Sequence, residues 1–190
     1  MSSLPRIENG NIILRRPLLS DIDGRANYGV SAEYARLTGT NFNKIDSFNL
    51  EDATEWYERI INHPCKWVIE YKNLFIGVVS LRPNYNDNKG KFAIEIYNNK
   101  FLGLGIGSKV TRMVLAYAFN KKKYHKVFLR VLESNERALN CYKKCGFIQE
   151  GIDREGALVN NKYESDIYMG ILSREYRDNI GYEINWENCE

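Results

Sequence analysis

Hydrophobic positions along the chain recur with two different periods, and the places where the period changes mark out the elements. Asn11 to Arg16 is a short β-rich run. Ser20 followed by Asp23 reads as an N-cap signal for a helix beginning near Asp21, weakened by Gly24 and Gly29. Asn49 with Asp52 reads as a second cap; after it Ala53, Trp56, Tyr57 and Ile60 share one helical face, and Pro64 marks the end. Lys66 to Tyr71 and Leu74 to Leu81 are rich in β-branched and aromatic residues, and Lys72-Asn73 between them fits a two-residue hairpin turn. Pro83 to Gly90 reads as a loop, and Phe92 to Tyr97 as the next strand.

The period then turns helical. Ile106, Val110, Met113, Val114 and Tyr117 recur at helical spacing and predict a helix over Gly107 to Phe119, closed by Lys121-Lys122-Lys123. Val127 to Leu132 follows as a strand, so Phe92 to Leu132 is a strand, helix, strand unit that pairs its strands in parallel through a right-handed crossover. A further helix carries Ala138, Cys141, Tyr142 and Cys145 on one face and stops at Gly146. Phe147 to Glu150 and Lys162 to Ile171 supply late strands. An antiparallel meander joined to a parallel unit makes an α/β chain with a mixed sheet.

Composition narrows the function classes. The chain has 190 residues, a length suited to one domain, and 44% hydrophobic residues with 27% charged place it among globular proteins. Lys plus Arg at 27 against Asp plus Glu at 24 leave a formal charge of +3, so no concentrated positive field points to a nucleic-acid partner. Apolar runs such as Leu74 to Val79 fall far short of the roughly 20 residues of a membrane span. The polar start from Met1 to Asn11 lacks a signal-peptide core. A soluble, cytoplasmic protein without a membrane partner is expected. Cys65, Cys141, Cys145 and Cys189 form no Cys-x-x-Cys pair and His63 and His125 are the only histidines, so zinc is not expected. Cys141 and Cys145 read first as core-filling thiols, with a redox or nucleophilic role as the alternative.

The most informative stretch runs from Phe92 through Leu102-Gly103-Leu104-Gly105-Ile106-Gly107-Ser108-Lys109. Three alternating glycines at a strand-to-helix junction allow close approach to the backbone, and the first helical amides lack intrahelical acceptors. Such a junction attracts anions, phosphate above all. It is not a P-loop, which needs Gly-Lys-Ser/Thr where this loop has Gly107-Ser108-Lys109. Nor is it a dinucleotide fingerprint, because position 108 is Ser and the region about 20 residues on is basic.

Downstream lies Asn135-Glu136-Arg137-Ala138-Leu139-Asn140-Cys141-Tyr142-Lys143-Lys144-Cys145-Gly146-Phe147. From about Phe92 to Phe147 the order of strand, glycine loop, helix, strand, Asn, Tyr-bearing helix and Gly-Phe resembles the GNAT family of N-acetyltransferases. The resemblance implies a GNAT fold: a mixed, mostly antiparallel sheet of about six to seven strands, helices on both faces, and a splayed parallel strand pair holding coenzyme A. It implies acetyl-CoA as co-substrate, with its pyrophosphate on the amides of Leu104, Gly105, Ile106, Gly107 and Ser108, beside Leu102 and Gly103. Leu102 stands where the family has Gln or Arg, which removes one side-chain contact. Backbone groups of Ile96 and Tyr97 would meet the pantetheine and the thioester oxygen, Asn135 the pantetheine arm, and Ala138 and Lys144 would lie along the cofactor.

Acetyl transfer needs a neutral amine, a donor for the developing oxyanion and a proton for the departing thiolate. Tyr142 matches the family's general acid, and Glu95 is the first choice of base, with Glu133 second. Glu150-Gly151, Arg154-Glu155 and Lys162 to Met169 resemble the branch of polyamine and ribosomal-protein N-terminal acetyltransferases, so the acceptor is a small-molecule or peptide amine. Glu33, Asp46, Glu51 and Asp52 are candidates to attract its cation, or ordinary solvated acids. The alternatives are an aminoglycoside-type N-acetyltransferase and a non-catalytic acyl-CoA-binding module. Lys121-Lys122-Lys123 reads as a solvated helix end, with help to a 3′-phosphate as its other reading. The domain is expected over residues 1–172, with 173–190 as a C-terminal extension whose Tyr176, Tyr182 and Trp186 leave a homodimer or higher homo-oligomer open.

Overall fold

A computed structural model describes residues 4–38, 45 and 47–176, together with the backbone of residues 185–187. The chain runs β1 (Arg6–Asn9), β2 (Ile12–Arg15), α1 (Asp21–Tyr28), α2 (Ala32–Thr38), α3 (Leu50–Ile61), β3 (Lys66–Tyr71), β4 (Leu74–Asn84) and β5 (Lys89–Ile96). It continues with α4 (Ile106–Ala116), β6 (Lys126–Leu132), α5 (Glu136–Lys144), β7 (Ile148–Val159), β8 (Lys162–Leu172) and β9 (Asn185–Glu187). Among the described residues one mixed sheet has the order β7-β8-β6-β5-β4-β3-β2-β1-β9, nine strands where about six to seven are expected. The surplus comes from both ends. β1 is a short strand the periodicity does not announce, turned into β2 at Gly10 with φ 57°, and β9 pairs with β1 along Arg6 to Glu8. Of the segment beyond residue 172, residues 185–187 therefore add an edge strand to the sheet.

Helices cover the sheet on both faces because alternate residues of the central strands are apolar on both sides. On one face Trp67, Ile69, Val79 and Phe92 pack with Val110, Met113 and Val114 of α4 and Tyr142 of α5. On the other, Val68, Val78 and Tyr97 pack under Trp56 and Ile60 of α3. The Asn49 capping box forms as read, with Asn49 accepting from Glu51 and Asp52 amides and the Asp52 side chain returning to the Asn49 amide. Ser20 makes no such cap. The start of α1 is fixed by Asp21, which accepts from the Leu18 amide at 2.7 Å and holds Arg15 through two 2.8 Å hydrogen bonds. Burial works against the Arg15 charge, but its bonds to Asp21 and Glu70 outweigh this and raise its affinity for the proton.

Pro83 to Gly90 is also shorter as a loop than expected. β4 and β5 pair as far as Asn84 and Lys89, leaving only a tight turn between them. Tyr176 stacks on Phe119 with centroids 4.9 Å apart, so it serves its own core. Tyr182 lies outside the described residues.

The feature that makes a site is the pairing of β5 with β6. It is parallel and confined to Lys89 to Lys91 against Lys126 to Phe128, although β5 continues to Ile96 and β6 to Leu132. Past that point the strands diverge. At the same level β4 draws very close to β5: a Cβ on Gly77 would fall 2.0 Å from the Glu95 carbonyl oxygen, so only glycine fits.

Candidate active site

After β5 the chain makes a single 3-10 turn, Asn99–Phe101, with the Asn98 side chain accepting from the Lys100 amide. It then passes through two left-handed residues, Gly103 at φ 78° and Gly105 at φ 76°, into α4. A Cβ at either glycine would meet nothing within 4 Å, so backbone conformation requires glycine here and the space beside it is open. Gly105 caps α4 without a side chain, which leaves the first amides of the helix directed outward with no side-chain acceptor. This cradle fits the pyrophosphate of acetyl-CoA. Leu104 is exposed and Ile106 is buried in the core, so of these two only the main chain is placed to serve the loop.

The cradle opens into a cavity of about 420 Å³. One wall is the loop, with Leu102, Gly103, Gly105, Gly107 and Ser108, and α5, with Asn135, Ala138, Tyr142 and Lys144. The opposite wall comes from Tyr34, Leu37 and Thr38 of α2, and the exposed end of β5 supplies the floor with Ile94, Glu95 and Ile96. Most of the expected cofactor residues therefore share one cavity. The Tyr97 amide donates to the Ile76 carbonyl at 3.0 Å, so this N–H is spent on β4 and is not free as expected. Its ring lies on the α3 face, where the hydroxyl accepts from Trp56 Nε1 at 3.0 Å. By the alternation of an antiparallel ladder, the main-chain groups of Ile94 and Ile96 then point to the diverging side.

Asn135 forms the helix cap that is one of its two expected roles. Its Oδ1 accepts from the Ala138 amide at 3.1 Å and fixes the start of α5, while the residue also lines the cavity. Tyr142 is 8% exposed, held edge-on to Phe92 and tilted against Phe147. Burial, with Cys141 and Cys145 nearby, pushes its phenol above the ordinary range, so the hydroxyl stays protonated. Glu95 accepts from the Tyr34 hydroxyl at 2.6 Å, and Lys66 stands 4.0 Å from its other oxygen. Glu133 lies outside the cavity lining, exposed at the end of β6, and Lys121 to Lys123 likewise lie outside it.

Several acids expected to draw a cation are otherwise engaged. Glu33 binds Arg137 at 3.1 Å and Asn99 at 2.8 Å, Asp52 closes the α3 cap, Glu51 is exposed at the same helix start, and Asp46 lies outside the described residues. Glu33 and Arg137 tie α2 to α5, and Arg36 reaches Ser134 at 3.3 Å beside them. Sequence reading did not single out Tyr34, Arg137 or Arg25. Arg25 is 3% exposed and lies 3.9 Å from the Phe48 ring centroid and 4.3 Å from that of Tyr97, behind the Tyr34 and Glu95 pair. Tyr34 sits on α2, a seven-residue helix that no motif marks. Cys145 is buried as expected, but Cys141 lines the cavity and is more than core filling.

Comparison with known proteins agrees with this geometry. A profile described as an acetyltransferase (GNAT) domain matches residues 11–148. The spermidine N(1)-acetyltransferase of Vibrio cholerae is 32% identical over 133 residues, 67% of this chain and 76% of that protein. The spermidine N(1)-acetyltransferase of Escherichia coli K12 is 28% identical over 112 residues, 58% of this chain and 60% of that protein. The crystal structure of the Vibrio cholerae spermidine N-acetyltransferase with CoA and spermine superposes with a TM-score of 0.73 at 24% identity, covering 88% of this chain and 99% of that one.

Proposed function

Because the chain belongs to the acetyltransferase (GNAT) family and is an acetyl-CoA-dependent N-acetyltransferase, we propose that it acetylates a primary amine of a small polyamine, with Glu95 and Tyr142 moving the protons. The observation that carries this reading is one cavity reaching from the α4 amides to Glu95, Tyr34 and Tyr142. Acetyl-CoA supplies the thioester carbonyl as electrophile and a thiolate as leaving group. The α4 amides and Ser108 would hold its pyrophosphate, and Asn135, Ala138 and Lys144 would flank its arm.

An alkyl ammonium has a reference pKa near 10 and must lose a proton before it attacks. Glu95 is the carboxylate at the cavity floor; the Tyr34 hydroxyl holds one of its oxygens, and the other, with Lys66 4.0 Å away, would take that proton directly or through a water. The amide of Ile96 faces the diverging side, where a donor to a developing oxyanion is useful. Tyr142 keeps its proton in a dry setting and delivers it from the phenol oxygen to the thiolate. The polyamine assignment is favoured by the named activity of the relatives and by a floor that presents a carboxylate.

The test is thiol release with spermidine, an aminoglycoside and a peptide with a free N-terminus. Spermidine should give the highest kcat/KM. A peptide turned over tenfold better would transfer the assignment to protein N-termini. Stabilisation by CoA without thiol release on any amine would leave a binding module.

A further inference from the structure

Cys141 and Cys145 stand one turn apart on α5, against the first turn of α4. Cys141 Sγ is 3.2 Å from Ser108 Oγ, and a Cβ on Gly107 would touch it at 3.8 Å. Cys145 Sγ is 3.5 Å from the Ser108 carbonyl oxygen and beside the Cys141 sulfur. The buried thiol thus faces protein, and Cys141 lines the cavity at the anion cradle.

Thiol reactivity needs access and a stabilised thiolate. The Cys145 S–H favours the Cys141 thiolate against burial, as do the Ser108 and Thr111 hydroxyls and the Arg112 charge, and together they hold the Cys141 thiol below its ordinary range. Cys145 moves the other way, because the neighbouring sulfur and burial both oppose its ionisation. Cys65 is a natural reference: half-buried, remote from the cavity and pushed up by burial.

We infer that Cys141 is a modification site for low-molecular-weight disulfides, and that the group it acquires blocks the α4 cradle. The Cys141 thiolate attacks one sulfur of R–S–S–R; a Cys141–S–S–R bond forms, the original S–S bond breaks, and the second half leaves as a thiolate that takes a proton from solvent. A free thiol reverses the step. The predicted loss of coenzyme A binding rests on the acetyltransferase reading, whereas the thiol chemistry does not.

The test uses the full chain and site-resolved peptide mass spectrometry. Iodoacetamide should label Cys141 at pH 7 roughly fivefold or more faster than Cys65, a margin set by thiolate fraction and reduced by the lower nucleophilicity of an acidic thiol. The Cys141 rate should level off at a lower pH than that of Cys65, which burial keeps climbing into the alkaline range. Oxidised glutathione should add its mass to Cys141 and abolish turnover, dithiothreitol should restore both, and desulfo-coenzyme A should slow the labelling at least fivefold. Glutathione disulfide treatment should leave Cys141→Ala at the activity of its untreated control. A Cys141 that resists oxidised glutathione, or that shares the pH dependence of Cys65, overturns the modification site. Labelling undiminished by desulfo-coenzyme A, or equal inhibition of Cys141→Ala, overturns the blocking role. Labelling as predicted in a chain that acetylates no amine would leave the thiol site standing and remove the catalytic reading.

Discussion

The two walls of the cavity are built by different physics. The α4 and α5 wall depends on backbone: two left-handed glycines, uncapped amides and one Asn cap, all within residues 102–144. The α2 wall and the β5 floor depend on side chains that meet from far apart, with Tyr34 on Glu95 across 61 positions, and Arg137 on Glu33 across 104 ties α2 to the α5 wall. In the proposed reading the first wall would recognise a constant ligand, coenzyme A, largely through main-chain atoms. The second can be redrawn by single substitutions, which suits the half of the site that faces a variable acceptor.

That division predicts where binding and chemistry separate. The largest effect belongs to Tyr142→Phe, which should lower kcat about 10²- to 10³-fold by removing the general acid while CoA affinity stays within about twofold of wild type, as an equilibrium titration would show. Glu95→Gln should follow with a loss of about 10- to 10²-fold in kcat/KM for the amine. Its KM for acetyl-CoA should not change, because Glu95 belongs to the other wall. Gly105→Ala should raise the KM for acetyl-CoA about tenfold, since a left-handed backbone costs a residue with Cβ about 1–2 kcal/mol, and should leave kcat at saturation almost intact. Tyr34→Phe should be milder, with about a three- to tenfold loss in kcat/KM from one hydrogen bond to a charged group. A larger effect of Gly105→Ala on kcat than on KM would erase the division between the walls.

The smallest effect concerns pH. Burial holds the Tyr142 phenol above its ordinary range, so the acid remains protonated from pH 7 to 9 and kcat should not fall across that interval. In the same interval more of the acceptor amine becomes neutral, so kcat/KM should rise. A decline in kcat centred below pH 9 would exclude Tyr142 as the donor.

How much of this was legible in the sequence follows the same line. The helix cap at Asn49, the hairpin at Lys72-Asn73, the glycine loop and the Asn135 to Phe147 run are local features, and each predicts its structure because its partners lie a few residues away. The diverging strands are legible only through the family resemblance, since nothing in Phe92 to Tyr97 states where its pairing with β6 stops. Tyr97 illustrates the limit. The strand expected to reach Tyr97 stops at Ile96, and whether the Tyr97 amide faces the cleft or β4 depends on register with Ile76, which periodicity does not encode. The Tyr34 contact with Glu95 and the pairing of Glu33 with Arg137 were out of reach for a related reason, since they exist only once α2 is folded over β5 and α5. Ser20 shows a local signal displaced by a stronger one, because Asp21 gains Arg15 and the Leu18 amide together.

The most direct measurement pairs a calorimetric titration of CoA with steady-state turnover for Tyr142→Phe. The two-wall account predicts a Kd within about twofold of wild type and a kcat lowered at least about 10²-fold. A variant that turns over at the wild-type rate, or that loses CoA binding in proportion to its activity, would contradict it.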